Sequence, residues 1–360
     1  MRFRSICGSQ VDGADFSSEW PGLLPVKFSG GLLAIGAGGA LGREGPSVQM
    51  GAVVAHLVGY AFRRSWSDRR RLIAAGAGAG LAVAFNAPVA GAVFVLEELV
   101  QRFEPRMAIA ALAASSMAIL ISRLFLGDTP DFHVAMSVQA ATATGPLPYA
   151  AAATLPLYLV LGAIAGFAAG FYNLTIMSAV TLIDRLGKLR IELKAALIGA
   201  TIGILGWFLP DLIGGGDNIT QSVLSGDTAM GAIPLAFALR FWLGAASYAA
   251  RTPGGLFSPM LVLGAQIGFF CGALYQPVFP GLGIDPKAFA VVEMAAFFTG
   301  VVQAPVTGVI LVTEMTAAFT ALLPMVGACF AAMLVVHLMR VPPIYDWLRE
   351  RLVSSGSTTR

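Results

Sequence analysis

Long unbroken apolar blocks, rather than alternation, set the pattern of this chain. They fall at 107–127, 149–172, 195–209, 229–250, 259–274 and 318–338. A helix needs about 20 residues to cross a bilayer. The pattern therefore predicts an all-α, multi-pass membrane protein. A closed β-barrel is not expected, because its strands would alternate apolar and polar positions.

The polar positions between the blocks are unevenly charged. Loop 63–71, "RRSWSDRRR", holds five arginines, the turn 101–106 holds two more, and loop 184–194 holds four Lys/Arg. Segments 128–147 and 210–228 hold none. The excess of Lys and Arg in cytoplasmic loops predicts that the first three lie inside, with the basic C-terminus, and the bare segments outside. Segment 72–100 then has cytoplasmic flanks at both ends, so it enters the membrane and returns. It is too short for two full spans and is broken at Asn86-Ala87-Pro88, which predicts two short helices meeting at that break. Proline suits the first turn of the second, where its missing N–H is no loss. Broken helices at membrane depth are tolerated where protein buries them or where they line a watery cavity.

The pattern also repeats. "APVAGAVFVLE" (87–97) aligns with "APVTGVILVTE" (304–314), placing Pro88 on Pro305, Gly91 on Gly308 and Glu97 on Glu314. Upstream, "GREGPSVQMGA" (42–52) aligns with "GLFSPMLVLGA" (255–265), placing Gly42 on Gly255, Pro46 on Pro259 and Gly51 on Gly264. Pro46 and Pro88 are 42 residues apart, and Pro259 and Pro305 are 46 apart. Repeated halves with Gly/Pro-interrupted helices point to a transport site where the repeats meet.

Composition agrees: 57% of residues are hydrophobic, 12% are charged and the mean hydropathy is +0.77, against about a quarter charged in soluble domains. A net charge of +3 gives no reason to expect nucleic acid. Cys7, Cys271 and Cys329 are far apart, and His56, His133 and His337 are isolated, so neither a metal site nor a cofactor is expected. Residues 1–19 are mixed and polar and resemble neither a signal peptide nor a span.

The chemistry concentrates in the two Gly-Pro turns. In "GREGP" (42–46), Pro46 is expected to start a helix while Gly42 and Gly45 let backbone approach closely. The free N–H groups and the dipole of that helix start form an anion site. "GGLFSP" (254–259) builds a second such turn, with Gly255 before Pro259. Two helix starts aimed at one point can hold a dehydrated anion without a full positive charge, which would bind too tightly for conduction. Glu44 is itself an anion and can occupy the ion's place; once protonated it is neutral and can swing away. An isolated charge at membrane depth costs at least about 2.5–3.5 kcal/mol. If Glu44 were only a cap, Ser or Thr would serve at lower cost, so a gating role is expected. Arg43 is expected to hold the loop or to add positive potential to the mouth.

Glu97 and Glu98 end the short helix 88–98. Glu97 has a repeat partner, Glu314, and the pair is expected to bond backbone at equivalent corners. Opposite Glu98 stands Met315, and that asymmetry suits either a function or a solvated surface carboxylate. Tyr345, after the last long span, reads as an interfacial anchor.

Together "GREGP", "GGLFSP", "NAPVAG" followed by "EE", and "APVTG" followed by "EMT" resemble the CLC family of chloride channels and proton/chloride exchangers, over about residues 20–350. The resemblance implies an inverted repeat of tilted, often broken helices, in a homodimer with one pathway per subunit. It implies that Glu44 is the external gate and that Glu98 takes the proton on the internal side. It implies that Leu256 and Phe257 offer backbone to chloride and that the Tyr345 hydroxyl coordinates the central anion. An acid at 98 is similar to the exchangers rather than the passive channels.

Two features depart from the family pattern. No GSGIP motif precedes "LPVKF" (24–28), and Ser5 and Ser9 stand outside any such motif, so the chain resembles a member without its first helices. Loss of the inner serine bears on chloride-over-nitrate preference. Arg251 stands before the second turn where small residues are usual. The regulatory cytoplasmic domains of many eukaryotic members are absent, which implies a prokaryotic protein in the plasma (inner) membrane. The expected organisation is a short non-membrane segment at 1–19, a transmembrane domain at 20–345 with repeats at about 20–127 and 149–340, and a cytoplasmic tail at 346–360. Proton-coupled chloride exchange is the expected function, with a passive channel or an inactive remnant as alternatives. An aquaporin-like pore has no use for Glu44. An intramembrane hydrolase would need HExxH, GxSxG or paired aspartates, so no enzyme is expected.

Overall fold

The computed structural model describes residues 20–127, 131–134, 148–185 and 190–356. The expected segment 1–19, most of the bare loop 128–147, part of loop 184–194 and tail residues 357–360 lie outside them. The described residues form fourteen α-helices: α1 Trp20–Gly36, α2 Glu44–Ala61, α3 Trp66–Phe85, α4 Pro88–Phe94, α5 Pro105–Leu126, α6 Pro148–Arg185, α7 Ile191–Phe208, α8 Asp217–Ser225, α9 Ile233–Ala249, α10 Phe257–Val278, α11 Pro286–Val302, α12 Pro305–Thr316, α13 Leu322–Leu338 and α14 Ile344–Gly356. Five stretches are long and apolar enough to cross a membrane: Pro105–Leu126, Thr154–Arg185, Met230–Ala249, Phe257–Val278 and Phe319–Leu338. Each holds one of the expected apolar blocks, and block 195–209 falls largely within α7.

The centre of the molecule is the hairpin of α10 and α11. From Phe289 to Val302 every residue of α11 is buried, as expected for a helix that is apolar all round. Gly264, Gly268 and Gly272 recur four apart on the face of α10 that meets it. A Cβ on any of them would run into α11, at the Glu293 carbonyl, the Phe289 carbonyl or Pro286. Small residues at this spacing let two backbones approach closely, and membrane helices associate through such packing.

The repeat seen in the sequence is a repeat in space. Segment 72–100 does turn back at Asn86-Ala87, and the same turn recurs at Gln303-Ala304. Asn86 and Gln303 are left-handed, at φ 49 and 63. Ala87 and Ala304 are extended, at φ −127 and −121. Pro88 and Pro305 then open α4 and α12 at the first helical turn. The leading helix α3 is longer than the sequence suggested, 20 residues. It begins within the basic loop, where the Ser65 hydroxyl accepts the Asp68 N–H. After α4, Val95–Val100 is wound as a π-helix. Rare π turns often mark functional positions, and this one carries Glu97 and Glu98.

Glu97 and Glu314 cap each other's helices. Glu97 accepts from the Val306 and Thr307 N–H groups at 3.1 and 2.6 Å and from the Thr307 hydroxyl at 2.7 Å, at the start of α12. Glu314 accepts from the Val89 and Ala90 N–H groups at 3.1 and 2.8 Å, at the start of α4. Each carboxylate satisfies N–H groups that a helix start leaves without intrahelical partners, and each faces the positive end of a dipole.

Candidate functional site

Gly42 and Gly255, aligned by the sequence repeat, pair directly. Gly42 N–H donates to the Gly255 carbonyl at 2.9 Å, and Gly255 N–H to the Gly42 carbonyl at 2.7 Å. This bridge brings the starts of α2 and α10 together. Gly45 completes the approach, because a Cβ there would fall 2.9 Å from the Gly254 carbonyl oxygen.

Both helices begin two residues earlier than the prolines suggested. Glu44 and Phe257 are the first helical residues, so Pro46 and Pro259 stand third. The first intrahelical bonds are Ser47 N–H to the Arg43 carbonyl and Met260 N–H to the Leu256 carbonyl. Proline is free of penalty throughout this first turn, not only at its first position, since none of these N–H groups has an intrahelical acceptor. The two turns therefore keep the N–H groups of Glu44 and Gly45, and of Phe257 and Ser258, outside the helical bonding pattern.

Glu44 lies at the crossing. It is 2% exposed, and neither carboxyl oxygen has a hydrogen-bond partner. The carboxyl rests over the bridge, since a Cβ built on Gly42 or Gly255 would collide with its oxygens. Both glycines are thus required by the space that the Glu44 carboxyl occupies.

Phe257 is fixed by a cluster of rings from four other helices. Phe85 stacks on it at 6.0 Å between centroids, Phe94 and Phe298 meet it edge-on at 5.6 and 4.8 Å, and Tyr345 tilts against it at 6.1 Å. Leu256 beside it is fully buried. Tyr345, at the start of α14, is half-buried rather than a surface anchor. Glu98 and Glu44 both lie within electrostatic reach of its hydroxyl. The residues from distant parts of the sequence, 44, 98, 256–257 and 345, are therefore gathered around one region.

Arg43 is anchored at its loop by two contacts. Its Nε donates to the Ala84 carbonyl at 3.1 Å, and Nη2 stands 3.7 Å from Asp131 Oδ2. A cavity of about 60 Å³ opens here, lined by Arg43, Asp131, Asp217 and Ser258 with Phe85, Phe132 and Met315. Burial holds the Asp131 carboxyl above the ordinary aspartate range, with Arg43 pulling it down and Asp217 pushing it up.

Three polar positions were not singled out from the sequence. Arg240, in the middle of α9 and 2% exposed, donates to the carbonyls of Leu212, Gly214 and Gly215 at 3.2, 2.6 and 2.7 Å. It thereby holds the glycine turn that leads into α8. At the start of α8, Asp217 Oδ1 accepts the Ser258 hydroxyl at 2.7 Å. Glu293 lies in the middle of α11, wholly buried, with neither carboxyl oxygen hydrogen-bonded. Arg240 stands within apolar block 229–250, and an ionisable residue inside a span is the signal that marks it. Arg251, noted as unusual, is left-handed at φ 58. Its guanidinium bonds Asp184, which also accepts from Arg351 at 2.9 Å. The three tie the second turn to the end of α6 and to α14.

A family model described as "Voltage gated chloride channel" matches residues 10–337. The H(+)/Cl(-) exchange transporter ClcA of Vibrio cholerae is 36% identical over 341 residues, which cover 94% of this chain and 71% of that protein. The ClcA of Klebsiella pneumoniae is 35% identical over 342 residues, covering 93% and 70%. Among solved structures, a slow cyanobacterial Cl-/H+ antiporter superposes with a TM-score of 0.86 at 32% identity, covering 93% of this chain and 77% of that one. A CLC-type fluoride/proton antiporter superposes at 0.71 with 20% identity, covering 89% and 81%, and so shares the fold.

Proposed function

The chain belongs to the voltage gated chloride channel family, and from that premise we propose that it exchanges chloride for protons across a membrane, gated by Glu44. One observation carries this reading: the Glu44 carboxyl rests, buried, over the Gly42–Gly255 bridge where two helix starts meet. Free N–H groups and helix dipoles favour an anion at that point. An ionised Glu44 competes with chloride for it. Protonation removes the competitor's charge, so the neutral side chain can leave and chloride can take its place. Chloride and proton movement are linked because one position serves both.

Placement supports the remaining roles in this reading. Phe257, with Leu256, offers backbone from a helix start whose ring is clamped by four others. Tyr345 offers its hydroxyl to the same anion path. Glu98, on the π turn, takes the proton on the inner side, while Glu97 beside it is engaged as a helix cap. Arg43 and the turns at Gly42–Pro46 and Gly255–Pro259 shape the site. The protein works as a homodimer in the plasma (inner) membrane of a bacterium, each subunit with its own pathway.

Purified protein in liposomes tests exchange against passive conduction. An outward chloride gradient is expected to drive protons into the vesicle against their own gradient. Chloride flux with no accompanying proton movement would favour a passive channel instead.

A further inference from the structure

Ser258 touches two acids of opposite exposure. Its hydroxyl donates to Asp217 Oδ1 at 2.7 Å, and it neighbours Glu44, whose carboxyl oxygens rest without a hydrogen bond over the adjoining Gly255 and so must turn onto Ser258 to bond it. Glu44 is 2% exposed and Ser258 6%, whereas Asp217 is exposed. The three side chains thus step from the buried crossing to the cavity of about 60 Å³ that Asp217 and Ser258 line. Such a cavity is roomy enough for water and has polar groups to bind it. A hydroxyl has one hydrogen to donate and two lone pairs to accept with. With its hydrogen directed to Asp217, Ser258 presents acceptor capacity to Glu44.

From this geometry we propose that Ser258 and Asp217 form a relay that passes protons between Glu44 and the outer solution. It rests on the reading of Glu44 as the proton-bearing gate. In the unloading direction, Glu44 gives its proton to Ser258 Oγ as the Ser258 O–H proton passes to Asp217 Oδ1. Glu44 becomes a carboxylate, Ser258 is again a neutral hydroxyl and Asp217 becomes an acid, so protons and charge balance. Asp217 then releases its proton to water in the cavity. Loading runs the same steps backward.

Arg43 and Asp131 face one another across the cavity. Arg240, on α9, is engaged by the carbonyls of Leu212, Gly214 and Gly215, with Tyr172 of α6 beside it. Lys287 of α11 sits at the opposite end of α8, against Gly226. Tyr345 lies within electrostatic reach of Glu44. None of these is bonded to the Ser258 hydroxyl, whose acceptor is Asp217.

The test is exchange rate against outer pH, with inner pH fixed, in liposomes. Asp217→Asn keeps an oxygen for Ser258 but cannot carry a proton, and Ser258→Ala removes the bridge. Both are expected to slow coupled exchange roughly a hundredfold at neutral outer pH, the lower end of what a positioned proton donor contributes. The rate should recover as the outer solution is acidified, and the proton-to-chloride ratio should not change. Ser258→Thr, which keeps a hydroxyl, should remain fast. In a Glu44→Gln background no proton is needed, so adding Asp217→Asn should leave chloride flux unaltered, which also shows that this variant folds. Equal slowing of that background flux would make Asp217 structural and overturn the relay. So would wild-type rates for both single variants at neutral outer pH. Persistent proton coupling in Glu44→Gln alone would instead overturn the gate reading on which the relay stands.

Discussion

At the scale of single residues, two adjacent carboxylates separate by what they touch. Glu97 is engaged by three donors of α12, whereas Glu98 lies within electrostatic reach of Tyr345. Glu98→Gln is therefore expected to stop proton movement while chloride still passes, as read by simultaneous pH and chloride electrodes. Uncoupling by Glu97→Gln with Glu98→Gln still coupled would reverse the assignment. The capping role of Glu97 was legible in the sequence because the repeat sets it on Glu314; Met315 opposite Glu98 suited a function and a solvated carboxylate equally. The contact of Ser258 with Asp217 was not legible, since it joins residues 41 apart through the fold rather than through any local period. Arg240 could have been read as an intramembrane charge. Its acceptors, three backbone carbonyls of a glycine turn, could not, because backbone acceptors leave no mark on residue type.

At the scale of elements, Glu97 and Glu314 join α4 and α12 by capping each helix from the end of the other. A side-chain cap contributes about 0.5–2 kcal/mol, and hydrogen bonds to a charged group about 1.5–3 kcal/mol. Glu97→Ala and Glu314→Ala should each lower stability by about 2 kcal/mol, read as a drop in the unfolding midpoint in detergent. The two effects should fail to add, because both act on one helix pair. An unchanged midpoint in both variants would show that packing alone holds α4 against α12. The helix reversals at Asn86-Ala87 and Gln303-Ala304 were legible because proline marks the restart. The starts of α2 and α10 were displaced by two residues because proline is equally free anywhere in a first turn.

At the scale of the whole molecule, the two halves meet at a pair of backbone hydrogen bonds between Gly42 and Gly255. The sequence showed that these glycines correspond; it did not show that they touch. Correspondence becomes contact because both turns must reach the same point with no side chain between them, and Glu44 fills the space that a Cβ would take. On the reading proposed above, gate, anion site and proton carrier coincide at one carboxyl. Glu44→Gln, which fixes that side chain in the neutral form, is the most direct measurement of this coincidence. In liposomes it should carry chloride passively at a rate independent of pH, and a chloride gradient should drive no protons. If the variant still moved protons uphill in step with chloride, Glu44 would not be the residue that couples them.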